Sequence, residues 1–109
     1  MVKHDSDKHL NVYSRVNGSL STKIDLEDDK YDDEDLNRIQ VFFTESEDLR
    51  IIIVSRRFTQ VNVLTEAGYC MKQFYFIKSN FDRFSLTTEK SLAFYYEKEN
   101  IIQFLRINE

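Results

Sequence analysis

The chain has no proline, no tryptophan, one cysteine and two glycines among its 109 residues. The single Cys70 excludes an intrachain disulfide, so the fold must be stabilised by its apolar core. The lack of disulfides and of an N-terminal apolar run predicts an intracellular protein of the cytoplasm or nucleus. The longest apolar runs, Ile51–Val54 and Phe74–Ile77, are far shorter than the roughly 18–20 residues of a membrane helix, so no membrane association is expected.

Histidine is also scarce, and both histidines, His4 and His9, lie near the N-terminus. General acid–base catalysis most often uses histidine, so the sequence favours a protein that is not an enzyme. His4, Asp5, Asp7 and His9 lack a second ligand cluster to complete a coordination shell, so neither a metal nor another cofactor is expected. Cys70 has no histidine near it in sequence to act as a base, and we expect a buried thiol.

Acidic residues are concentrated in residues 25–35, which carry a net charge of 1 − 8 = −7, whereas the other 98 residues sum to +3. An EF-hand loop is excluded there, because its sixth and twelfth positions would be Lys30 and Leu36 instead of glycine and glutamate. A solvated acidic segment favours contact with a basic surface. The acids predicted to make that contact are Asp28, Asp29, Asp32, Asp33, Glu34 and Asp35.

Short β-like runs dominate much of the first two-thirds of the chain. Leu10–Arg15 and Leu20–Leu26 flank Asn17-Gly18, a pair that tolerates positive φ and predicts a β-hairpin. Leu49–Ser55 contains four consecutive β-branched residues, which fit a pleated sheet better than a helix. We therefore predict a strand there, with the alternating run Gln60–Leu64 as its partner.

The segment after the acids permits two interpretations. Leu36, Ile39 and Phe43 have helical spacing and Asp32 is a suitable N-cap, which together predict a helix over residues 32–42. Acids in its first turn would lie at the positive end of the helix dipole. The alternative is a strand in which alternate residues from Ile39 to Phe43 share one face.

The last third of the chain predicts an antiparallel meander, with a helix over Thr88–Leu105 as the alternative. Before it, residues 65–72 are expected to form a loop or a short helix, and Gly68 favours the loop. Two glycines and no proline are few for such a turn-rich fold. The β-rich runs are K-Q-F-Y-F-I-K, D-R-F-S-L-T-T, S-L-A-F-Y-Y and N-I-I-Q-F-L-R-I, separated by Ser79-Asn80, Glu89-Lys90 and Glu97-Lys98-Glu99.

The stretch Thr44–Arg57 joins acids to the Ile51–Val54 block and is similar to a SUMO-interacting motif, in which an extended peptide adds a strand to its partner's sheet. Such a peptide must be exposed, whereas burial of each of these side chains stabilises the fold by about 1.5–3 kcal/mol. We therefore expect a core strand at this position.

Lys72-Gln73-Phe74-Tyr75-Phe76-Ile77 resembles the RNP1 strand of the RNA-recognition motif, in which a basic residue contacts phosphate and exposed aromatics stack on bases. Gln73 and Tyr75 stand at its glycine positions, and Ile51-Ile52-Ile53 is the candidate RNP2 strand. The resemblance implies binding of single-stranded nucleic acid. Candidate residues for that binding are Arg56, Arg57, Lys72, Phe74, Phe76 and Lys78.

Together these patterns predict a tail at residues 1–8 and one α+β, β-rich domain over residues 9–109. Its expected form is a small antiparallel sheet or barrel with an N-terminal hairpin, a C-terminal meander and one helix. The favoured function is a protein-interaction module, such as a small subunit, adaptor or inhibitor, that binds a basic protein surface through the acids and an exposed Tyr75. Nucleic acid is the alternative ligand, contacted directly or through that partner, although a pI of 5.2 is low for a dedicated nucleic-acid binder.

Overall fold

The computed structural model describes residues 2–4, 9–14, 16–26, 31–75, 78 and 80–107. These residues form antiparallel strands and a short helix in two compact units, Met1–Tyr75 and Phe76–Glu109, whereas the sequence predicted one domain over residues 9–109. The β-rich α+β class, the N-terminal hairpin and the C-terminal meander are confirmed. The described strands form three small open sheets, so the barrel alternative is wrong. The elements are β1 (Val2–His4), β2 (His9–Tyr13), β3 (Leu20–Asp25), α1 (Asp33–Asn37), β4 (Gln40–Phe43), β5 (Leu49–Ser55), β6 (Gln60–Thr65), β7 (Cys70–Tyr75), β8 (Arg83–Leu86), β9 (Ser91–Tyr96) and β10 (Ile101–Arg106).

The first sheet of the N-terminal unit has the strand order β1-β2-β3. In the hairpin between β2 and β3, the Ser14 N–H donates to the Ser19 carbonyl over 2.8 Å, and Gly18 adopts a φ of +73°. Gly18 supplies the left-handed residue of the loop, whereas Asn17 accepts a hydrogen bond from the Ser19 N–H through its side chain. A tail was predicted for residues 1–8, but residues 2–4 form a strand that pairs with β2. Residues 1 and 5–8 lie outside the described residues.

The second sheet of the N-terminal unit has the order β4-β5-β6-β7 and contains the most buried part of the chain. Ile51–Val54 on β5 are at most 1% exposed, and β5 is hydrogen-bonded to a strand on each side. The strand predicted from its β-branched residues is therefore confirmed, and the docking-peptide interpretation is wrong. Gln60–Thr65 forms its predicted partner β6, and residues 66–69 form a turn before β7.

The segment after the acids contains both a helix and a strand. Asp32 is the N-cap of α1 and forms a capping box with Asp35, as the helix prediction required of its N-terminus. The helix ends at Asn37 rather than near residue 42, because Gln40–Phe43 pair with β5 as strand β4. A sheet edge accommodates the β-branched and aromatic side chains of this run better than a second helical turn does.

The core of the N-terminal unit lies where the two sheets and α1 meet. The inward side chains of β2 and β3 pack against one face of β5 and β6, and Leu36 of α1 joins them at 2% exposure. The apolar residues of this two-layer core are Leu10, Val12, Ile24, Tyr31, Leu36, Leu49, Ile51, Ile53 and Leu64.

Tight turns in a chain with so few glycines depend on other residue types in the left-handed region. Glu47, Thr59, Lys90 and Asn100 have φ values between 51° and 65°, and Thr59 is β-branched, so its conformation is strained. Gly68 has a φ of +95°, and a Cβ there would lie 2.8 Å from the Ile24 Cγ2 atom. This position therefore requires glycine for its backbone conformation and for space.

The C-terminal unit is a meander of order β10-β9-β8, so the helix over Thr88–Leu105 is wrong. Its core is aromatic: the Phe94 ring centroid lies 5.1 Å from that of Phe81 and 5.8 Å from that of Phe84. The run K-Q-F-Y-F-I-K does not belong to this meander, since residues 72–75 pair with β6 in the four-stranded sheet. β7 follows β6 through the turn at Gly68 and pairs with it as a hairpin, so this run belongs to the four-stranded sheet.

The burial of β5 predicts that Ile53→Asp destabilises the N-terminal unit by more than about 4 kcal/mol, because an unpaired carboxylate would enter an apolar core. The matched control is Val16→Asp, since Val16 is 95% exposed in the hairpin loop, and its effect should stay within about 0.5 kcal/mol. Urea unfolding monitored by circular dichroism measures both. An Ile53→Asp protein with the same midpoint as the control would show that β5 is not the core strand.

Candidate partner-binding surface

A buried side-chain amide connects the acidic segment to the sheet. Asn62 on β6 is 1% exposed, and its Nδ2 group donates to the Tyr31 hydroxyl over 2.8 Å. Its Oδ1 atom accepts from Gln73 Nε2 on β7 over 2.9 Å. Burying an amide group without a hydrogen-bond partner destabilises a fold by about 1–3 kcal/mol. The two hydrogen bonds of Asn62 avoid this cost and keep the Tyr31 and Gln73 side chains beside it. Tyr31 is thereby positioned over β6, one residue before the N-cap of α1.

From this buried amide, hydrogen bonds continue outward to an exposed tyrosine. Gln60 pairs with Tyr75 and Asn62 with Gln73 across β6 and β7, which places all four side chains on one face of the sheet. Gln73 Nε2 also donates to Gln60 Oε1 over 3.1 Å, and the Tyr75 hydroxyl donates to Gln73 Oε1 over 3.3 Å. Tyr75 is nevertheless 65% exposed, as the sequence predicted. Its ring is thus presented to solvent by an ordered network.

The first turn of α1 presents carboxylates to solvent next to Tyr31. Asp32, Asp33 and Glu34 are exposed, and the Arg38 guanidinium forms an ion pair with Glu34. From Tyr31 to Asp48 the chain has seven acids and one base, a net charge of 1 − 7 = −6. We use the name acidic–tyrosine surface for the exposed carboxylates of this turn together with the hydrogen-bonded side chains that lead to Tyr75. It comprises Asp32, Asp33, Glu34, Gln60, Gln73 and Tyr75.

Asp35 differs from its neighbours, because it is only 7% exposed and bonds within the protein. Its carboxylate accepts a hydrogen bond from the Asp32 backbone N–H over 3.2 Å and also interacts with Arg56. Burial raises the pKa of this carboxyl above its ordinary value of 3.8, while the hydrogen bond from the Asp32 backbone opposes that increase. Asp35 is therefore buried, unlike the exposed acids with which the sequence grouped it, and it does not belong to the exposed surface of this turn. Asp28 and Asp29 lie outside the described residues.

The residues predicted to bind nucleic acid do not form one exposed face. Lys72 and Phe74 are half-buried and pair with Val63 and Val61, opposite to the face of Tyr75. Arg56 is half-buried, and its charge acts on the Asp35 carboxyl. Among the others, Arg57 is exposed in the β5–β6 turn, Lys78 bonds to Glu99 over 2.6 Å in the C-terminal unit, and Phe76 lies outside the described residues.

The strand order also departs from what the RNP1 resemblance implies. The candidate RNP2 residues Ile51-Ile52-Ile53 are fully buried, and β6 separates their strand from β7. Two strands with exposed aromatics on a shared face are needed to stack successive bases. This pair of strands cannot provide that face.

Catalytic and metal-binding features are limited in the described part of the chain. Cys70 is exposed rather than buried as predicted, because β7 is the outer strand, and its Sγ atom lies 3.4 Å from the Lys72 carbonyl oxygen. It borders a cleft of about 130 Å³ that Tyr31, Asn62 and Asp25 also line. Within the described ranges, no group of three or more potential ligands is arranged to hold a metal ion. None of the helices formed by those residues is long and apolar enough to cross a membrane.

Sequence reasoning missed Tyr31, Gln60, Asn62 and Gln73. A signal was present, since Gln60 and Asn62 have the same parity and alternate with the apolar residues Val61 and Val63. Gln73 and Tyr75 also share a parity on the next strand. The register that sets these two pairs opposite each other depends on a bulge between Val63 and Leu64. A bulge of one residue cannot be read from the alternation alone.

Comparison with known proteins gave no match to the chain among family models, curated proteins or solved structures. Arguments about function therefore rest on the geometry and chemistry described above.

Asp35→Asn should lower the free energy of unfolding by about 1–3 kcal/mol, because the amide NH2 group cannot accept a hydrogen bond, whereas both oxygens of the carboxyl can do so in either protonation state. The control Asp33→Asn, at an exposed position of the same turn, should change it by less than about 0.5 kcal/mol. Urea unfolding of both variants at neutral pH measures these effects.

The pH dependence of the same comparison has a definite sign. Because the pKa of Asp35 is raised in the folded state, its protonation favours folding. The stability of the wild type relative to Asp35→Asn should be greatest below pH 3.8 and should fall as pH rises through the higher pKa of the folded state. An advantage that grows with rising pH would contradict the buried position of this carboxyl.

Proposed function

We propose that the protein is a non-catalytic protein-interaction module that binds a basic surface of a macromolecular partner through the acidic–tyrosine surface. A small subunit, an adaptor or a protein inhibitor would all use such a surface. The observation that carries the proposal is the hydrogen-bonded connection from Tyr31 through Asn62 and Gln73 to Tyr75. It joins the exposed carboxylates of α1 and an exposed aromatic ring to one rigid sheet.

Rigid presentation matters because association is weakened by the cost of ordering flexible side chains. Asp32 is held by the capping box, and Glu34 is held by its ion pair with Arg38. Tyr75 is restrained by its contacts with Gln73 and Gln60, yet most of its ring is accessible. Tyrosine is frequent at the energetic centres of protein interfaces, and its ring also attracts lysine and arginine cations.

The charge distribution supports a basic partner. Met1–Tyr75 contains ten bases and fourteen acids, so the whole formal charge of −4 belongs to this unit, and Phe76–Glu109 has five of each. A concentrated negative field accelerates encounter with a positive surface, mainly through the association rate. Binding should therefore weaken with added salt, since the Debye length falls from about 30 Å at 0.01 M to about 10 Å at 0.1 M.

Single-stranded nucleic-acid binding through Lys72 and Phe74 has less support. Their half-buried face leaves little ring surface for stacking. On the other face of the same strand, Gln73 bonds to Asn62, which in turn bonds to Tyr31 beside the acidic turn. For location, we propose a reducing intracellular compartment, because the exposed Cys70 thiol is the only cysteine of the chain.

A fluorescein-labelled oligolysine peptide of about ten residues provides a defined basic probe for this surface. The double variant Asp33→Asn/Glu34→Gln should weaken its binding by about threefold to tenfold at low salt, because two carboxylates of the contact are lost. Tyr75→Ala should weaken it by a further twofold to fivefold through loss of the cation–π contact. Fluorescence anisotropy at about 0.02 and 0.2 M salt measures both effects.

The matched control is Glu89→Gln/Glu97→Gln, which removes the same charge from exposed positions of the C-terminal unit. It should leave the affinity within about twofold of wild type. If both double variants weakened binding equally, the peptide would be responding to net charge alone, and the proposal for this surface would fail.

A further inference from the structure

The sheet of the C-terminal unit has one buried face and one open face. Phe94, Leu92 and Tyr96 on β9 are buried, whereas Ile102, Phe104 and Arg106 on the outer strand β10, which lie on the other face of the sheet, are exposed. Register places Tyr95 opposite Arg83 and Ile102, and Ala93 opposite Phe104. Directly opposed residues share a face, so these side chains lie together. We call them the open face: Arg83, Ala93, Tyr95, Ile102, Phe104 and Arg106.

Two aromatic side chains on the open face are placed to act as stacking platforms. Phe104 is 66% exposed, and its cross-strand neighbour Ala93 is too small to cover the ring. Tyr95 is the diagonal neighbour of Phe104, and such neighbours in antiparallel strands are about 7–8 Å apart, within reach of aromatic side chains. The Arg83 guanidinium carbon lies 4.9 Å from the centroid of the Tyr95 ring, which forms a second flat platform.

The charge on these strands has a single sign. Arg83 and Arg106 are the only charged residues within β8, β9 and β10, and both project from the open face. The described acids of the unit lie outside its strands, where Glu99 pairs with Lys78 and the Asp82 carboxylate accepts from the Glu97 N–H over 2.6 Å. The open face therefore combines two cations with the exposed Phe104 ring and the half-buried Tyr95 ring, and none of its residues carries a carboxylate.

We infer that the open face binds single-stranded nucleic acid, with bases stacked on Phe104 and on the Arg83–Tyr95 pair and with phosphates held by Arg83 and Arg106. Base stacking on aromatic rings with cations beside the backbone is how single strands are bound without sequence readout. A second copy of the chain fits less well, because two such faces would bring four guanidinium groups together without a carboxylate. This site shares no residue with the acidic–tyrosine surface and does not depend on the function proposed for it.

Binding of a fluorescein-labelled dT12 oligonucleotide, measured by fluorescence anisotropy with the full chain, tests the inference. Phe104→Ala should weaken the affinity by about fivefold to a hundredfold, the range expected for one stacked base, while Phe104→Tyr should retain it. Arg83→Gln/Arg106→Gln should weaken binding and reduce the slope of log affinity against log salt by about 1.4, since two phosphate contacts are removed.

Matched controls distinguish binding at the open face from any change in affinity that the loss of an exposed ring or cation elsewhere would cause. Tyr69→Ala removes a ring that is 73% exposed in the N-terminal unit, and Lys98→Gln removes a cation from a turn of the C-terminal unit. Both should leave the dT12 affinity within about twofold of wild type. Melting temperatures of all variants should stay close to that of wild type, because the substituted side chains are exposed or half-buried at the surface.

An abasic 12-mer has the same phosphates without bases, so it should bind at least tenfold more weakly than dT12. Three results would overturn the inference: no dT12 binding at millimolar protein, equal affinity for the abasic strand, or an affinity unchanged by Phe104→Ala. Sedimentation showing a dimer that Phe104→Ala dissociates would overturn it in favour of self-association.

Discussion

The hydrogen bond between the Asn62 side chain and the Tyr31 hydroxyl is the constraint on which the N-terminal unit's functional surface depends. An amide in the middle of an apolar core is tolerated only where its donors and acceptors are paired. Here one side of the amide bonds to Tyr31, just before α1, and the other bonds to Gln73 on β7. The cost of burying Asn62 therefore fixes both the acidic turn and the outer strand relative to β6. Without that contact, the carboxylates and Tyr75 would be two unrelated surface features.

Much of the fold could be predicted from local sequence. Strand β5 follows from its block of β-branched residues, the first hairpin from Gly18, and the C-terminal meander from alternation between polar turns. The end of α1 could not be predicted, because Ile39 and Phe43 fit both the helical and the strand spacing, and only the pairing of residues 40–43 with β5 decides between them. The division into two units was also hidden. No proline or glycine marks the boundary near residue 75, and an uninterrupted aromatic run crosses it.

The charge of the candidate site could be predicted from the sequence, whereas the hydrogen bonds that connect its residues could not. The acidic turn and the exposure of Tyr75 followed from composition and strand parity, and both agree with the structure. Asp35 could not be distinguished from Asp33 or Glu34 in sequence, because only the capping box and packing at Arg56 remove it from solvent. The open face of the C-terminal sheet was missed for a related reason. Phe104 and Ile102 look like core residues, and only the register of β10 against β9 shows that they lie on the open face of the sheet.

A double-mutant cycle between Tyr31→Phe and Asn62→Ala tests most directly whether this hydrogen bond holds the acidic segment to the sheet. Urea unfolding of the wild type, both single variants and the double variant yields the interaction energy between the two side chains. The structure predicts a favourable coupling of about 1–2 kcal/mol, the value expected for a buried hydrogen bond whose loss leaves a polar group unpaired. Effects that add to within about 0.3 kcal/mol would show that the two residues stabilise the protein independently, and the structural basis for a single acidic–tyrosine surface would be contradicted.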